Sequence, residues 1–215
     1  MYVGRIVSVG LNENNQIGAT YRVSSRSFPN RRAVIEGQRV AIVPKPGYEE
    51  DVHKNPYIAY NCVRLPCEGL VAVVTNGSHT DPIAEKIDAG MNVRDALILG
   101  LTALDYEKDQ YNTPRIAAVA DTRGEVQGWL GVVRKDGLEV RAMPLRPSWC
   151  YFVATYERNV ISAELTETYV PKTPEEACTA ILEKGVFGSL TNPVTAVAAL
   201  HDGDAFALAT KDAQE

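Results

Sequence analysis

The chain has 215 residues, 45% of them hydrophobic and 23% charged, and its 22 Lys+Arg against 27 Asp+Glu leave a formal net charge of −5. Apolar content this high with so small a net charge excludes a mainly disordered chain. The acidic balance argues against a nucleic-acid coat, and the longest apolar runs (70–74, 116–120) fall far short of the roughly 20 residues of a membrane helix.

In chain order, RIVSV (5–9), ATYRVS (19–24), RVAIV (39–43), YIAYNCVRL (57–65) and LVAVVT (70–75) read as strands, separated by turn-rich segments such as Pro44-Lys45-Pro46-Gly47. Runs 39–43 and 70–74 are apolar throughout, the pattern of strands covered on both faces. Two helices follow. Thr80 is placed to cap the first, with Asp81 and Pro82 in its opening turn, and Asn92 to cap the second. The second is apolar nearly all round (Ala96, Leu97, Leu99, Leu101, Leu104) and is expected to be deeply buried before the abrupt polar end DYEKD, 105–109. Strands are expected again at 115–120, 126–133, 138–143 and 149–156. Thr173-Pro174-Glu175-Glu176 is a capping box that opens a helix to about Glu183. A short helix is expected at 192–200 and a final strand at 205–210. This order is α+β, with antiparallel sheets covered by helices, and it shows no repeat or linker, so residues 1–215 are expected to form one domain.

Cys62, Cys67, Cys150 and Cys178 form no C-x-x-C pair, and His53, His79 and His201 are too few for a multi-histidine centre, so no metal is expected. Arg5 and Asn12 interrupt the N-terminal apolar stretch, which points away from a secretory leader and toward reduced thiols and a cytoplasmic protein.

Residues 21–32, YRVSSRSFPNRR, are the strongest local feature. No Asp or Glu occurs between Asn14 and Ile35, yet Arg22, Arg26, Arg31 and Arg32 all lie there, with Ser24, Ser25, Ser27 and Asn30 as neutral donors. Guanidinium forks match phosphate geometry, so the segment suits a phosphate ligand; a solvated basic turn is the plain alternative. In NPYIAYNC (55–62), Tyr57 and Tyr60 are three apart in a strand-like run, so one would face the core and the other a pocket. Asn61 would put an amide beside the phenol. TNGSHTD (75–81) joins a strand to a helix N-terminus, where Asn76, Gly77 and Ser78 could hold a ligand carbonyl or serve as a simple connecting turn. Glu107 is either a base or a solvated acid.

Five blocks in this order, YRVSSRSFPNR, NPYIAYNC, TNGSHTD, DYEKD with NTPRIAA (112–118), and NPVTAVAALHDGD (192–204), resemble the archaeal-type inosine monophosphate (IMP) cyclohydrolase family. The resemblance implies the four-layer αββα sandwich of N-terminal-nucleophile hydrolases, a fold that often assembles into homo-oligomers. It also implies closure of 5-formamidoimidazole-4-carboxamide ribonucleotide to IMP with loss of water, the last step of purine nucleotide synthesis. The family lacks the self-processed nucleophile of its fold relatives, and here Tyr2 follows Met1 where Cys, Ser or Thr would be wanted. The partner expected is therefore a small nucleotide, with neither nucleic acid nor membrane, and the implied ring closure requires no metal or organic cofactor.

The resemblance directs the catalytic roles to Arg22, Tyr60 and Glu107. Tyr60 would donate a proton to the formyl oxygen, Arg22 would stabilise phenolate or oxyanion character, and Glu107 would accept the amide proton. Ser24, Ser25, Arg26, Asn30 and Arg31 would take the phosphate and ribose, and Asn61, Asn76, Gly77 and Ser78 the base. The rivals are an amide hydrolase of the same fold and a non-catalytic purine-nucleotide-binding module.

Overall fold

The computed structural model describes residues 1–214. Its elements run β1 (Ile6–Leu11), β2 (Ile17–Ser24), β3 (Arg31–Glu36), β4 (Arg39–Pro44), α1 (Asp51–Lys54), β5 (Tyr60–Arg64), β6 (Val71–Thr75), α2 (Thr80–Asp88) and α3 (Val93–Leu104). Then come β7 (Arg115–Asp121), β8 (Gly128–Arg134), β9 (Gly137–Met143), β10 (Trp149–Ala154), β11 (Thr166–Thr168), α4 (Pro174–Glu183), α5 (Gly185–Gly188), β12 (Pro193–His201) and β13 (Phe206–Asp212). The strands form two antiparallel sheets. One has the order β11-β10-β1-β2-β12-β13 and the other β3-β4-β5-β6-β7-β8-β9.

Period-two alternation explains how the sheets pack. Val7, Tyr21, Val153 and Val197 of the first sheet face Ile42, Cys62, Val74, Ile116 and Leu130 of the second across one buried core. The opposite face of the first sheet (Ile6, Phe152, Ala196, Ala198) packs on Ala177, Cys178 and Ile181 of α4 and Phe187 of α5. The opposite face of the second (Val71, Val73, Ala117, Val119) packs on Ile83 and Ile87 of α2 and Ala96 and Leu97 of α3. The central strands are buried on both faces and so read as continuous apolar runs. No described helix is long and apolar enough to cross a membrane.

The caps are largely as the residue types suggest. Asn92 accepts from the Asp95 amide at 2.9 Å, and Thr173 from the Glu176 amide at 3.2 Å. His79, not Thr80, occupies the N-cap of α2. The Thr80 hydroxyl turns to the carbonyls of Gly77 (2.9 Å) and Asn61 (2.5 Å), tying the helix start to β5.

Four expectations are corrected. Residues 193–201 are β12, not a helix. Alanine favours helices in isolation, but here Ala196 and Ala198 pack under α4 while Val197 and Ala199 enter the inter-sheet core, so a two-sided strand wins over propensity. The basic segment does not stay a turn throughout, because Arg31–Glu36 is an edge strand paired with β4. The run 57–65 is strand only from Tyr60. Pro56 opens a 3₁₀ turn at Pro56–Ile58, whose Tyr57 amide donates to Asn55 Oδ1 at 2.9 Å. Helix α3 is one-sided rather than buried all round, with Leu99 46% exposed.

Candidate active site

Tyr21 and Tyr60 meet between the sheets. Tyr21 enters the inter-sheet core from β2, Tyr60 packs against it as the first residue of β5, and their hydroxyl oxygens lie 2.6 Å apart. Burial raises both phenol pKa values, Tyr21's furthest. For Tyr60 the nearby Arg31 and Arg5 guanidiniums oppose that rise. Arg31, the first residue of β3, is 3% exposed, and its Nε donates to the Phe28 carbonyl at 3.0 Å.

Glu107 arrives from the other direction. Helix α3 ends at Leu104, and Asp105 takes a backbone conformation (φ 53°, ψ −175°) that turns the chain sharply. The following loop is closed by Asp109, which accepts from the Thr113 amide (2.9 Å), the Thr113 hydroxyl (2.7 Å) and the Tyr111 amide (3.1 Å). Thr113 Oγ1 also bonds Tyr156 Oη at 2.7 Å, and the Glu107 amide donates to the Thr113 carbonyl at 2.9 Å. So held, Glu107 is 2% exposed and accepts two hydrogen bonds from Arg5 Nη2, at 3.0 and 3.2 Å. Burial raises its pKa above the ordinary carboxylate value, with Arg5 and Arg115 opposing. Burial works against the charge on Arg5, but the attraction of Glu107 together with those of Tyr60, Tyr21 and Tyr156 outweighs it and keeps the guanidinium protonated.

Arg115 opens β7. It is 4% exposed, its guanidinium carbon is 5.8 Å from the Tyr57 ring centre, and its Nη1 is 3.5 Å from Nδ1 of buried His79. His79 Nε2 lies 3.0 Å from the Ile116 carbonyl, and burial together with the Arg115 charge lowers its pKa to about 3. The imidazole is therefore neutral, with Nε2 donating to that carbonyl and Nδ1 free to accept.

Arg5, the partner of Glu107, lines a cleft of about 410 Å³ together with Tyr2, Ser25, Tyr57, Tyr111 and Tyr156 among others. Tyr2 stacks on Tyr156 (5.9 Å between centroids), Tyr111 meets Tyr156 edge-on (6.5 Å), and Arg26 lies 3.9 Å over Tyr2. Asp109 and Lys54 add one charge of each sign to the lining. The buried part thus holds three guanidiniums against a single carboxylate, which suits an anionic ligand. A larger groove of about 700 Å³ over Arg39, Arg64 and Glu85 shares none of these residues.

The structure brings together Tyr60, Glu107, Arg31, Ser25 and Arg26 from the expected set, and separates others. Arg22 is a correction. It follows Tyr21 on β2 and so points to the opposite face. There its Nη1 donates to the Phe187 (2.7 Å) and Ile181 (3.2 Å) carbonyls, its Nη2 to Leu190 (2.7 Å) and its Nε to Ser24 Oγ (3.0 Å). It ties β2 to α4 and α5, and Ser24 belongs to that anchor rather than to the cleft. Asn61 is likewise turned away from Tyr60, donating to both carboxylate oxygens of Asp81 on α2 at 3.0 Å.

Asn76 is a buried staple between β6 and β7, donating to the Pro114 carbonyl (3.0 Å) and accepting from the Ile116 amide (2.7 Å). Gly77 gives its carbonyl to Thr75 and Thr80, while Ser78 is exposed. Half-buried Asn30 accepts from the Lys45 amide at 2.9 Å through its carbonyl. Sequence reasoning missed Tyr21, Arg5 and Arg115. Tyr21 alone carried a signal, since it alternates with core residues Ala19 and Val23.

A family model described as IMP cyclohydrolase-like protein matches residues 2–205. A protein of Methanosphaera stadtmanae named IMP cyclohydrolase is 47% identical over 201 residues, covering 94% of this chain and 95% of its own length. One of Methanocella arvoryzae with the same name is 55% identical over 164 residues (75% and 77%), and one of Methanococcus aeolicus 41% over 205 residues (95% and 97%). The match spans β1 to β12 and so includes every residue of the cluster from Arg5 to Arg115. On these grounds the chain belongs to the IMP cyclohydrolase-like family.

Proposed function

We propose that the cleft closes 5-formamidoimidazole-4-carboxamide ribonucleotide to IMP and water, and that Tyr60, Arg31 and Glu107 carry the reaction. The observation that supports it is the Tyr21–Tyr60 hydroxyl pair lying beside Arg31 and the Arg5–Glu107 ion pair. Ring closure is intramolecular, so most of the enzyme's task is to hold the carboxamide nitrogen against the formyl carbon.

The carbon–nitrogen bond forms as the formyl oxygen takes the Tyr60 proton and the amide nitrogen gives one up to Glu107. Arg31 then faces the phenolate, the role expected of Arg22. Tyr21, whose own pKa lies further up, remains protonated and donates to the Tyr60 oxygen. The hydroxyl of the cyclic intermediate leaves as water when the carbon–oxygen bond breaks. That hydroxyl takes the proton held by Glu107, and the former formamido nitrogen gives its own proton to the Tyr60 phenolate as the carbon–nitrogen double bond forms, so atoms and charge balance without any redox change. The raised pKa of Glu107 matches a group that must both take and return a proton.

Helix–sheet–sheet–helix layering supports the further reading of the fold as the four-layer αββα sandwich of N-terminal-nucleophile hydrolases. The test is a thermal-shift titration with IMP followed by an absorbance assay of ring closure. Stabilisation with turnover is expected. Binding without turnover would turn the site into a nucleotide-binding module, and loss of neither signal in Tyr60→Phe would remove the proton-donor role.

A further inference from the structure

Glu107 is carried on a loop strained near both ends: Asp105 has φ 53° and Asn112 φ 48°, in the left-handed region that residues other than glycine seldom occupy. Such conformations persist only where the surrounding contacts impose them. Here the contacts converge on Thr113, which is fully buried. Its carbonyl takes the Glu107 amide, and its own amide and hydroxyl both go to Asp109. A proton count fixes the direction of the remaining bond. Both Asp109 oxygens accept, Oδ1 from two backbone amides and Oδ2 from the Thr113 hydroxyl. Thr113 has one hydroxyl proton and has spent it, so at 2.7 Å the Tyr156 phenol is the donor and Thr113 Oγ1 the acceptor.

The residue before Tyr156 grips the other half of the ion pair. Thr155 Oγ1 accepts from the Arg5 amide (3.1 Å) and donates to the Val3 carbonyl (3.2 Å), and the Thr155 amide donates to the Arg5 carbonyl at 2.9 Å. Gly4 lets this clamp close. Its φ is 70°, and a Cβ there would strike Thr155 Oγ1 and the Tyr156 ring. Two consecutive residues just past the end of β10 therefore hold Arg5 on one side and the Glu107 loop on the other. Among the described residues the Arg5 and Glu107 side chains hydrogen-bond only to each other, so these ties set how the two meet.

Given the proposed ring closure, on which this step rests, we infer that Thr113 is a positioning residue of the reaction: with its hydroxyl oriented by Tyr156, it sets where Glu107 stands against Arg5. Thr113 is sealed from the cleft and reaches no reactant, so its whole effect passes through Glu107. An intramolecular closure depends on exact placement of the group that takes the proton, which a strained loop supplies only while it is held.

The kcat and KM of ring closure test this in the wild type, Thr113→Val, Thr113→Ser and Tyr156→Phe, each with Arg5 present and in an Arg5→Met background. Valine keeps the shape of threonine without its hydroxyl. Thr113→Val should lower kcat about 10- to 100-fold, the scale of a reacting group displaced by about 1 Å, and leave KM within about twofold. Thr113→Ser retains the hydroxyl and should recover kcat to within about threefold of wild type. Tyr156→Phe keeps the ring against Tyr2 and Tyr111 but loses the donor, and should lower kcat about 3- to 10-fold, again with KM unchanged. In the Arg5→Met background the pair no longer exists, and Thr113→Val should cost no more than about twofold further. Unchanged kcat in Thr113→Val, equal losses in the valine and serine variants, a loss confined to KM, or a cost that persists in full without Arg5 would overturn the positioning role. If Thr113→Val does not fold, Tyr156→Phe decides by its kcat and KM and by its dependence on Arg5. A wild type without turnover would overturn the reaction reading and this step with it.

Discussion

The hydroxyl of Tyr21 sits 2.6 Å from that of Tyr60, although the two side chains come from different sheets. A contact this short between two raised-pKa phenols makes one the hydrogen-bond donor to the other, and the more desolvated Tyr21 is the one that keeps its proton. Tyr60→Phe should therefore lower kcat by about 10²- to 10⁴-fold, the span of a lost general acid. Tyr21→Phe, which removes only the supporting donor, should cost about 10-fold. The double variant should lose little more than Tyr60→Phe alone. Additive losses in single-turnover kinetics would show that the pair does not act together.

Arg5 opposes the burial of Glu107, and its removal has a signed consequence for pH dependence. A proton acceptor must be ionised, so kcat falls on the acid side as Glu107 protonates. In Arg5→Met the opposing cation is gone and the carboxyl pKa rises further. The acid limb of the pH–rate profile should move to higher pH. A limb that stays in place would dissociate it from Glu107.

Arg22 should behave as a structural residue. Its guanidinium, whose pKa burial lowers to about 10, supplies donors to carbonyls at the ends of α4 and α5. Arg22→Met leaves those carbonyls buried without donors and should reduce unfolding free energy by about 2–3 kcal/mol. The kcat of the protein that remains folded should stay within about twofold, since a group outside the site contributes nothing to the transition state. Urea unfolding and active-site titration separate the two effects.

His79 predicts an acid-sensitive fold. Its pKa is about 3 when buried against 6.5 when exposed. Between those values the unfolded chain binds a proton that the folded chain refuses, so its contribution to stability is complete above pH 6.5 and declines as pH falls toward 3. Each pH unit across that window is worth about 1.4 kcal/mol at most. Urea midpoints of wild type and His79→Gln should converge as the solution is acidified. Parallel curves would show that His79 titrates normally.

Much of the architecture could be read from residue pattern. The runs around 70–75 and 115–120 are apolar because both faces are covered, and Asn92 and Thr173 mark the helix starts they cap. Strand β12 escaped because its alanines satisfy a helical pattern as readily as a two-sided strand, and only α4 packing over it decides. The active-site roster was half legible. Tyr60 and Glu107 sit in blocks dense in polar and aromatic residues, but Arg22 and Arg31 share one basic block, and only the alternation along β2 sends Tyr21 inward and Arg22 outward. Arg5 carried no local signal at all, because its partner lies 102 positions away and the pairing exists only once the sheets close.

The order of the elements along the chain has a consequence for biosynthesis. Every reactive side chain, from Arg5 to Arg115, is translated before β10, β12 and β13. Yet β1 pairs with β10, β2 pairs with β12, and Arg22 waits for carbonyls near residues 181–190. The nascent polypeptide therefore carries its complete catalytic inventory before the strands that flank β1 and β2 exist. The first sheet is completed by C-terminal strands that supply none of the proposed catalytic groups.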